Sequence, residues 1–316
     1  MKTLKFKNGD QLPALGLGTW KSKPGEVGKA VLTAIREGYR HIDCAAIYNN
    51  EKEVGEALSQ AFKDKIVKRE EIWITSKLWN DSHKEEQVIP ALKKTLEDLQ
   101  LEYLDLYLVH WPVAFKQGVS FPEDSNDFYS LEEVSLTETW KGMEKAFENK
   151  LTKHIGVSNF KEEKIQQLID SCSISPEMNQ VEMHPFLPQE GLVKFCKNRK
   201  IHLTAYSPLG SGDRSEKMKQ DNEPALLENE VINKIAKKHN ASSAQILISW
   251  QLHRGVAVIP KSTNSGRIKE NINAASINLD LEDVNKINDI DYEFRFIDGS
   301  FWKQGGEEYS QKALWG

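Results

Sequence analysis

Several things are scarce in this chain. Cysteine occurs three times in 316 residues, as Cys44, Cys172 and Cys196. An odd number so widely spaced fits neither a disulfide framework nor the paired spacing of a zinc site, so reduced thiols in a cytoplasmic protein are expected, with no bound metal. No eighteen apolar residues run together, which leaves no candidate membrane-spanning helix. Met1-Lys2-Thr3-Leu4-Lys5-Phe6-Lys7 lacks the apolar stretch of a signal peptide. An excess of basic charge is missing too: 42 Lys and Arg against 47 Asp and Glu leave a formal net charge of −5. Without a basic stripe to neutralise a phosphate backbone, no nucleic-acid partner is expected.

What the chain does have is alternation. After a hairpin pattern, residues 3–6 and 11–14 around Lys7-Asn8-Gly9-Asp10, come short apolar runs at 15–18, 41–44, 72–76, 104–109, 154–157, 179–182, 203–206 and 256–259. Between them lie segments with apolar residues at intervals of three and four, among them 27–37, 51–63, 85–99, 136–149, 161–169 and 244–253. Eight strands separated by helices imply parallel neighbours, and eight is the number that closes into a (β/α)8 TIM barrel. An open doubly wound sheet would want a dinucleotide fingerprint; the nearest candidate, Gly16-Leu17-Gly18-Thr19-Trp20-Lys21, ends in Lys instead of Gly. The expectation is one barrel domain over 1–316, with long loops at 111–135 and 208–224 and a C-terminal tail folding back to the mouth.

Barrel enzymes place their chemistry at the C-terminal ends of the strands. Polar or aromatic residues stand at each end here: Thr19, Trp20 and Lys21; Asp43, with Tyr48 just beyond; Lys77; His110; Ser158 and Asn159; Gln180; Tyr206 and Ser207; Lys261 and Ser262. Strand periodicity puts Asp43 and Lys77 on inward faces of neighbouring strands, where they can pair beside Tyr48. The ammonium is then expected to acidify the phenol, favouring proton donation near neutral pH, with His110 bonding the same substrate oxygen. Each residue alone has a plainer reading: a structural ion pair, a core histidine, a rim aromatic, polar groups capping helices. Their joint placement at consecutive strand ends favours catalysis. Ser158, Asn159 and Gln180 suit a carboxamide and Tyr206 a flat ring. Lys261 to Ser265, running into a helix near Arg267, has the form of an anion site and favours a ribose phosphate, hence NADPH.

Gly16-Leu17-Gly18-Thr19-Trp20, Gly38-Tyr39-Arg40-His41-Ile42-Asp43-Cys44-Ala45, Tyr103 to Pro112, Gly156-Val157-Ser158-Asn159-Phe160, Ala205-Tyr206-Ser207-Pro208-Leu209-Gly210 and Ile259-Pro260-Lys261-Ser262 follow one another in this order. Together they resemble the aldo-keto reductase superfamily, and most closely its aldose and aldehyde reductase branch, from the hairpin to about Asn271. The resemblance implies a catalytic tetrad of Asp43, Tyr48, Lys77 and His110, with Tyr48 as general acid. It implies NADPH, with Ser158, Asn159, Gln180 and Tyr206 at the nicotinamide, and Ser207, Leu209, Ser211 and Asp213 strapped over the pyrophosphate. Lys261, Ser262, Asn264, Arg267, Glu270 and Asn271 would meet the adenosine end, and Gly18, Thr19, Trp20, Lys21 and Asp43 would also touch the cofactor. Trp20, Ile47, Trp79, His110 and Trp111 would bound the substrate.

The implied activity is reduction of aldehydes, aldoses included, and some ketones, by a monomer acting on small carbonyl compounds. The chain departs from aldose reductases in having no tryptophan in Asp213 to Met218, and its tail, Arg295 to Trp302, resembles microbial and plant members. Two other classes compete: a non-catalytic or regulatory barrel that binds NADPH, and a metal-dependent barrel hydrolase. The second would need a His/Asp/Glu ligand cluster, which His110 and Asp43 beside Lys77 do not make.

Overall fold

The computed structural model describes residues 2–316, the side chain of Lys217 excepted. The chain opens on an antiparallel hairpin, β1 (Thr3–Lys5) and β2 (Gln11–Pro13), with Leu4 opposite Leu12. The turn between them takes Gly9 to a φ of +98°, and Asn8 Oδ1 accepts from the Asp10 N–H. Then come eight parallel strands: β3 (Leu17–Gly18), β4 (His41–Asp43), β5 (Trp73–Leu78), β6 (Leu104–Val109), β7 (Thr152–Ser158), β8 (Met178–Glu182), β9 (His202–Tyr206) and β10 (Ala257–Val258). Each is hydrogen-bonded to the next in chain order. Parallel bridges Leu15–Val258 and Gly18–Lys261 bring the last strand back to the first, so the sheet closes as a barrel.

The outer ring is helical: α1 (Val27–Arg36), α2 (Glu51–Lys63), α3 (Glu85–Leu99), α4 (Leu136–Glu148), α5 (Glu162–Ser171), α6 (Glu190–Arg199), then, beyond an additional α7 (Glu230–Lys238), α8 (Ser243–His253) and α9 (Ser265–Asn273). Two more, α10 (Leu281–Asn288) and α11 (Gln311–Trp315), belong to the tail. Among the described residues no helix is long and apolar enough to cross a membrane.

Periodicity explains these elements. In α2, Val54, Ala57, Leu58 and Ala61 form the buried stripe, Glu51 and Glu53 sit in the first turn and Lys63 in the last, complementing the helix dipole. α8 starts at Ser242, whose hydroxyl accepts from the Gln245 N–H in a reciprocal capping box. Strands β4, β5 and β6 are buried on both faces, as parallel strands covered by helices require. Outward residues such as Ile42, Ile74, Tyr107 and Val181 pack against the helices. Inward ones, Trp73, Leu106, Leu108, Met178 and Ala257, fill the barrel and meet Phe6 and Leu12 of the hairpin. The hairpin thereby plugs one end and leaves the other to the loops.

Close approach of α2 to α3 depends on Gly55. A Cβ there would lie 2.3 Å from the Asp98 carbonyl oxygen and 2.7 Å from the Leu99 carbonyl carbon, both backbone. Gly55→Ala is expected to destabilise the barrel by about 1–3 kcal/mol despite its better helix propensity, because backbone cannot move aside as a side chain does. A lower midpoint of urea unfolding checks this; a rise would show that the helices separate freely.

Candidate active site

The open mouth of the barrel holds a cleft of about 1020 Å³. At its inner part, β4 and β5 deliver Asp43 and Lys77 to adjacent strand ends, where Nζ lies 2.5 Å from Asp43 Oδ1 and donates to the Cys44 carbonyl at 2.7 Å. Gln180 Nε2 occupies the other carboxylate oxygen at 2.7 Å. Asp43 is thus bound on both sides, and Lys77 is completely buried behind the cleft wall. Tyr48 comes from the single turn Ala46–Tyr48 after β4, which ends on Asn49 in a left-handed conformation. The Lys77 ammonium stands 5.2 Å from its ring centroid. His110, ending β6, meets that ring edge-on at 5.8 Å.

The pairing of Asp43 with Lys77 is as expected; the acidification of Tyr48 is not. Desolvation in the cleft, reinforced by the Asp43 carboxylate, pushes the phenol well above its ordinary value. The reason is geometric. Lys77 directs its hydrogen bonds to Asp43 and Cys44, and among the described residues it makes none to Tyr48. Burial and the nearby Lys77 charge hold the His110 imidazole well below the usual histidine range. Both groups facing the cleft are therefore neutral at physiological pH.

Farther along, Ser158, Asn159, Gln180 and Tyr206 converge on one stretch of cleft. Asn159, at a φ of +64°, donates through Nδ2 to the His110 carbonyl and accepts from the Tyr206 hydroxyl at 2.7 Å. Ser158 Oγ donates to the Gln180 carbonyl at 2.7 Å. Ser207, Leu209, Ser211 and Asp213, from the segment after β9, and Gly18, Thr19, Trp20 and Lys21, from the end of β3, line the cleft as well. Lys21 donates to Ser211 Oγ at 2.6 Å and pairs with Asp213, which Lys261 Nζ approaches at 3.2 Å. The segment after β9 is thus a strap tied to the residues that follow β3 and β10.

Lys261, Ser262, Asn264 and Arg267 line the cleft where α9 begins. Asn264 caps that helix by accepting from the Arg267 N–H at 3.0 Å. Arg267 makes no ion pair among the described residues, so its charge is available to an anion. Glu270 and Asn271 stand back: Glu270 accepts from the Ser242 hydroxyl, Asn271 is buried, and neither lines the cleft.

Trp20, Ile47, Trp79, His110 and Trp111, the residues expected to bound the substrate, all line the cleft. Phe121, Met218, Leu227, Phe296, Ile297, Phe301, Trp302 and Lys303 line it as well, and sequence reasoning had not assigned them. Trp302 packs against Phe115, Trp111 and Trp79 with ring centroids 5.2, 5.7 and 6.0 Å apart. The aromatic residues of the tail, Phe294, Phe296, Phe301 and Trp302 among them, were the available signal. Met218 takes up part of the wall beside the strap that carries no tryptophan. Among the described residues, no group of three or more His, Cys, Asp or Glu is placed to hold a metal ion.

The chain matches the sequence model of the Aldo/keto reductase family over residues 14–292. It is 49% identical to an aldo/keto reductase of Synechocystis sp. over 315 residues, which cover 100% of this chain and 96% of that protein. Human aldo-keto reductase family 1 member A1 is 46% identical over 291 residues, 92% of this chain and 89% of the relative. The solved structure of the aldose reductase from Schistosoma japonicum superposes with a TM-score of 0.89 at 41% identity, covering 98% of each chain. A closed barrel, a cleft at its strand ends and full-length likeness agree: the chain belongs to the aldo/keto reductase family, in its aldose and aldehyde reductase-like branch, whose enzymes are oxidoreductases of carbonyl compounds.

Proposed function

We propose that this protein reduces aldehydes, aldoses among them, and some ketones to alcohols, with NADPH as hydride source and Tyr48 as proton donor. The observation that carries the reading is one cleft lined both by neutral Tyr48 and His110 and by the cations Lys261 and Arg267, which stand where α9 begins. The cleft residues fit the dinucleotide. Buried amides of Asn159 and Gln180 suit its carboxamide, the Tyr206 ring offers a stacking face, and the strap covers the middle. Arg267 and Lys261 at a helix start favour the extra phosphate of NADPH over NADH.

A bound reduced nicotinamide supplies the hydride to the carbonyl carbon. His110 orients the carbonyl oxygen, and Tyr48 passes its hydroxyl proton to that oxygen as negative charge develops there. Lys77, although it does not acidify the resting phenol, lies close enough to stabilise the phenolate left behind. Solvent protons then restore Tyr48, and the alcohol leaves. The aromatic walls exclude water during the transfer. The same reading takes residues 1–316 as one domain, supported by the single closed barrel and by the family match across most of its length, in a protein that acts as a cytoplasmic monomer.

NADPH oxidation followed by absorbance, over a panel of aldoses, aromatic aldehydes and short aliphatic aldehydes, tests the proposal. Turnover is expected, with kcat flat from about pH 5.5 to about pH 8. The sign follows from the two shifts. The raised phenol keeps its proton throughout, and the lowered imidazole gains one only well below its usual range. A one-proton break near pH 6.5 would show that His110 titrates during turnover. Tight NADPH binding with no turnover on any carbonyl would replace the reductase with a binding protein.

A further inference from the structure

Outside the tetrad, a buried carboxylate near the cleft, that of Glu182, is held by three donors. It closes β8 two residues beyond Gln180, on the same inward face, and is entirely buried. Its register partner on β9 is Tyr206. The carboxylate accepts three hydrogen bonds, each 2.7 Å long: Oε1 from His184 Nε2 and the Phe296 N–H, Oε2 from the Ile297 N–H. Two of the three donors are main-chain groups of the tail, more than a hundred residues away in sequence.

Other contacts keep the tail against this strand end. The His184 ring lies 5.0 Å from that of Phe296, and the Phe294 N–H donates to the Phe186 carbonyl at 2.8 Å. Immediately after Ile297 the chain turns through Gly299 and presents Phe301 and Trp302 to the cleft. Phe296 and Ile297 line the cleft themselves. One carboxylate therefore joins the strand ends that bear Gln180 and Tyr206 to the segment forming the outer wall.

We propose that Glu182 is a positioning residue for substrate selection: by gripping the Phe296 and Ile297 amides it sets how close the tail's aromatic wall stands to Tyr48 and His110. The inference rests on the carbonyl-reductase reading above and adds to it the chemical class that this grip favours, aldehydes whose ring or long apolar group reaches the tail. A short aldehyde needs only Tyr48, His110 and Trp20 and is indifferent to it. In a neutral glutamine one of the two acceptor oxygens becomes an NH2 group facing a main-chain donor, so one grip is lost without loss of volume.

The test compares wild type, Glu182→Gln and Glu182→Asp with NADPH and two substrates, a naphthaldehyde and propanal, alongside amide hydrogen exchange of the tail. In Glu182→Gln, kcat/KM for the naphthaldehyde is expected to fall about tenfold or more, mainly through KM, while propanal changes less than about threefold. Exchange at Phe296 and Ile297 should quicken. Glu182→Asp keeps both acceptor oxygens but draws them back by one methylene, so it should quicken exchange at those amides and lower the naphthaldehyde-to-propanal ratio, by a smaller factor than Glu182→Gln. If Glu182→Gln does not fold, Glu182→Asp decides alone: faster exchange at those amides with a lower naphthaldehyde-to-propanal ratio supports the proposal, and an unchanged ratio overturns it. An equal fall for both substrates, or no fall, overturns it as well. If wild type reduces neither aldehyde, the reductase reading has failed instead.

Discussion

Tyr48→Phe is expected to lower kcat by about a thousandfold, leaving NADPH affinity within about twofold of wild type. Such a loss corresponds to roughly 4 kcal/mol of barrel-held transition-state stabilisation. The substitution removes only a hydroxyl from a ring that keeps its contacts with Trp20, His110 and the Lys77 ammonium. Shape, stacking and the anion end of the cleft are untouched, so binding and chemistry separate cleanly. Single-turnover reduction with saturating NADPH, beside fluorescence titration of NADPH, measures both. Equal activity in the two proteins would move the proton donor elsewhere, with His110, edge-on to the Tyr48 ring, a neighbouring candidate.

Lys77→Met should have a double effect, on folding as well as on turnover. The ammonium is completely buried and balances Asp43, itself buried. Removing one partner leaves a carboxylate with only Gln180 as a side-chain donor, at an expected cost of about 3–5 kcal/mol in unfolding free energy. Turnover should drop as well, since the phenolate left by Tyr48 loses its nearest cation. Adding Asp43→Asn to Lys77→Met removes the stranded charge, and most of the lost stability should return while activity does not. Urea unfolding and turnover in the single and double variants check the two halves. A single variant as stable as wild type would mean that the buried ion pair does not hold this part of the barrel together.

The barrel and the gathering of Asp43, Tyr48, Lys77 and His110 at one place were legible because both depend on local rules. Period-two strands between amphipathic helices give the topology, and residues such as Asp43, Lys77 and His110 fall at strand ends by counting. The direction of the Tyr48 shift was not legible, because it depends on where Lys77 aims its donors, a matter of ångströms that spacing does not encode. The outer wall was missed for a different reason. Phe121, Met218 and Trp302 sit on long connections whose path is set by tertiary contacts, such as the Trp79 Nε1–H bond to the Ser120 carbonyl at 2.9 Å. Glu182 was within reach: it shares the parity of Gln180, and a carboxylate buried at a strand end needs donors. Which donors could not be read, because they are main-chain groups supplied by the tail.

The seam of the barrel has a consequence for the protein's lifetime. β3 and β10 are two residues each, the shortest strands in the sheet, so the ring is thinnest where its first and last members meet. Lys21 and Lys261 flank that joint, and the strap carboxylate of Asp213 sits between them. A dinucleotide laid over the two lysines would rivet the N-terminal part of the chain to the C-terminal part across the weakest weld in the cylinder. Ligand concentration then enters the folding equilibrium directly, adding roughly 2.7 kcal/mol at a hundredfold excess over Kd. A cell short of reducing cofactor would hold not only an idle enzyme but one that unzips and is proteolysed sooner, tying its abundance to the supply of its co-substrate.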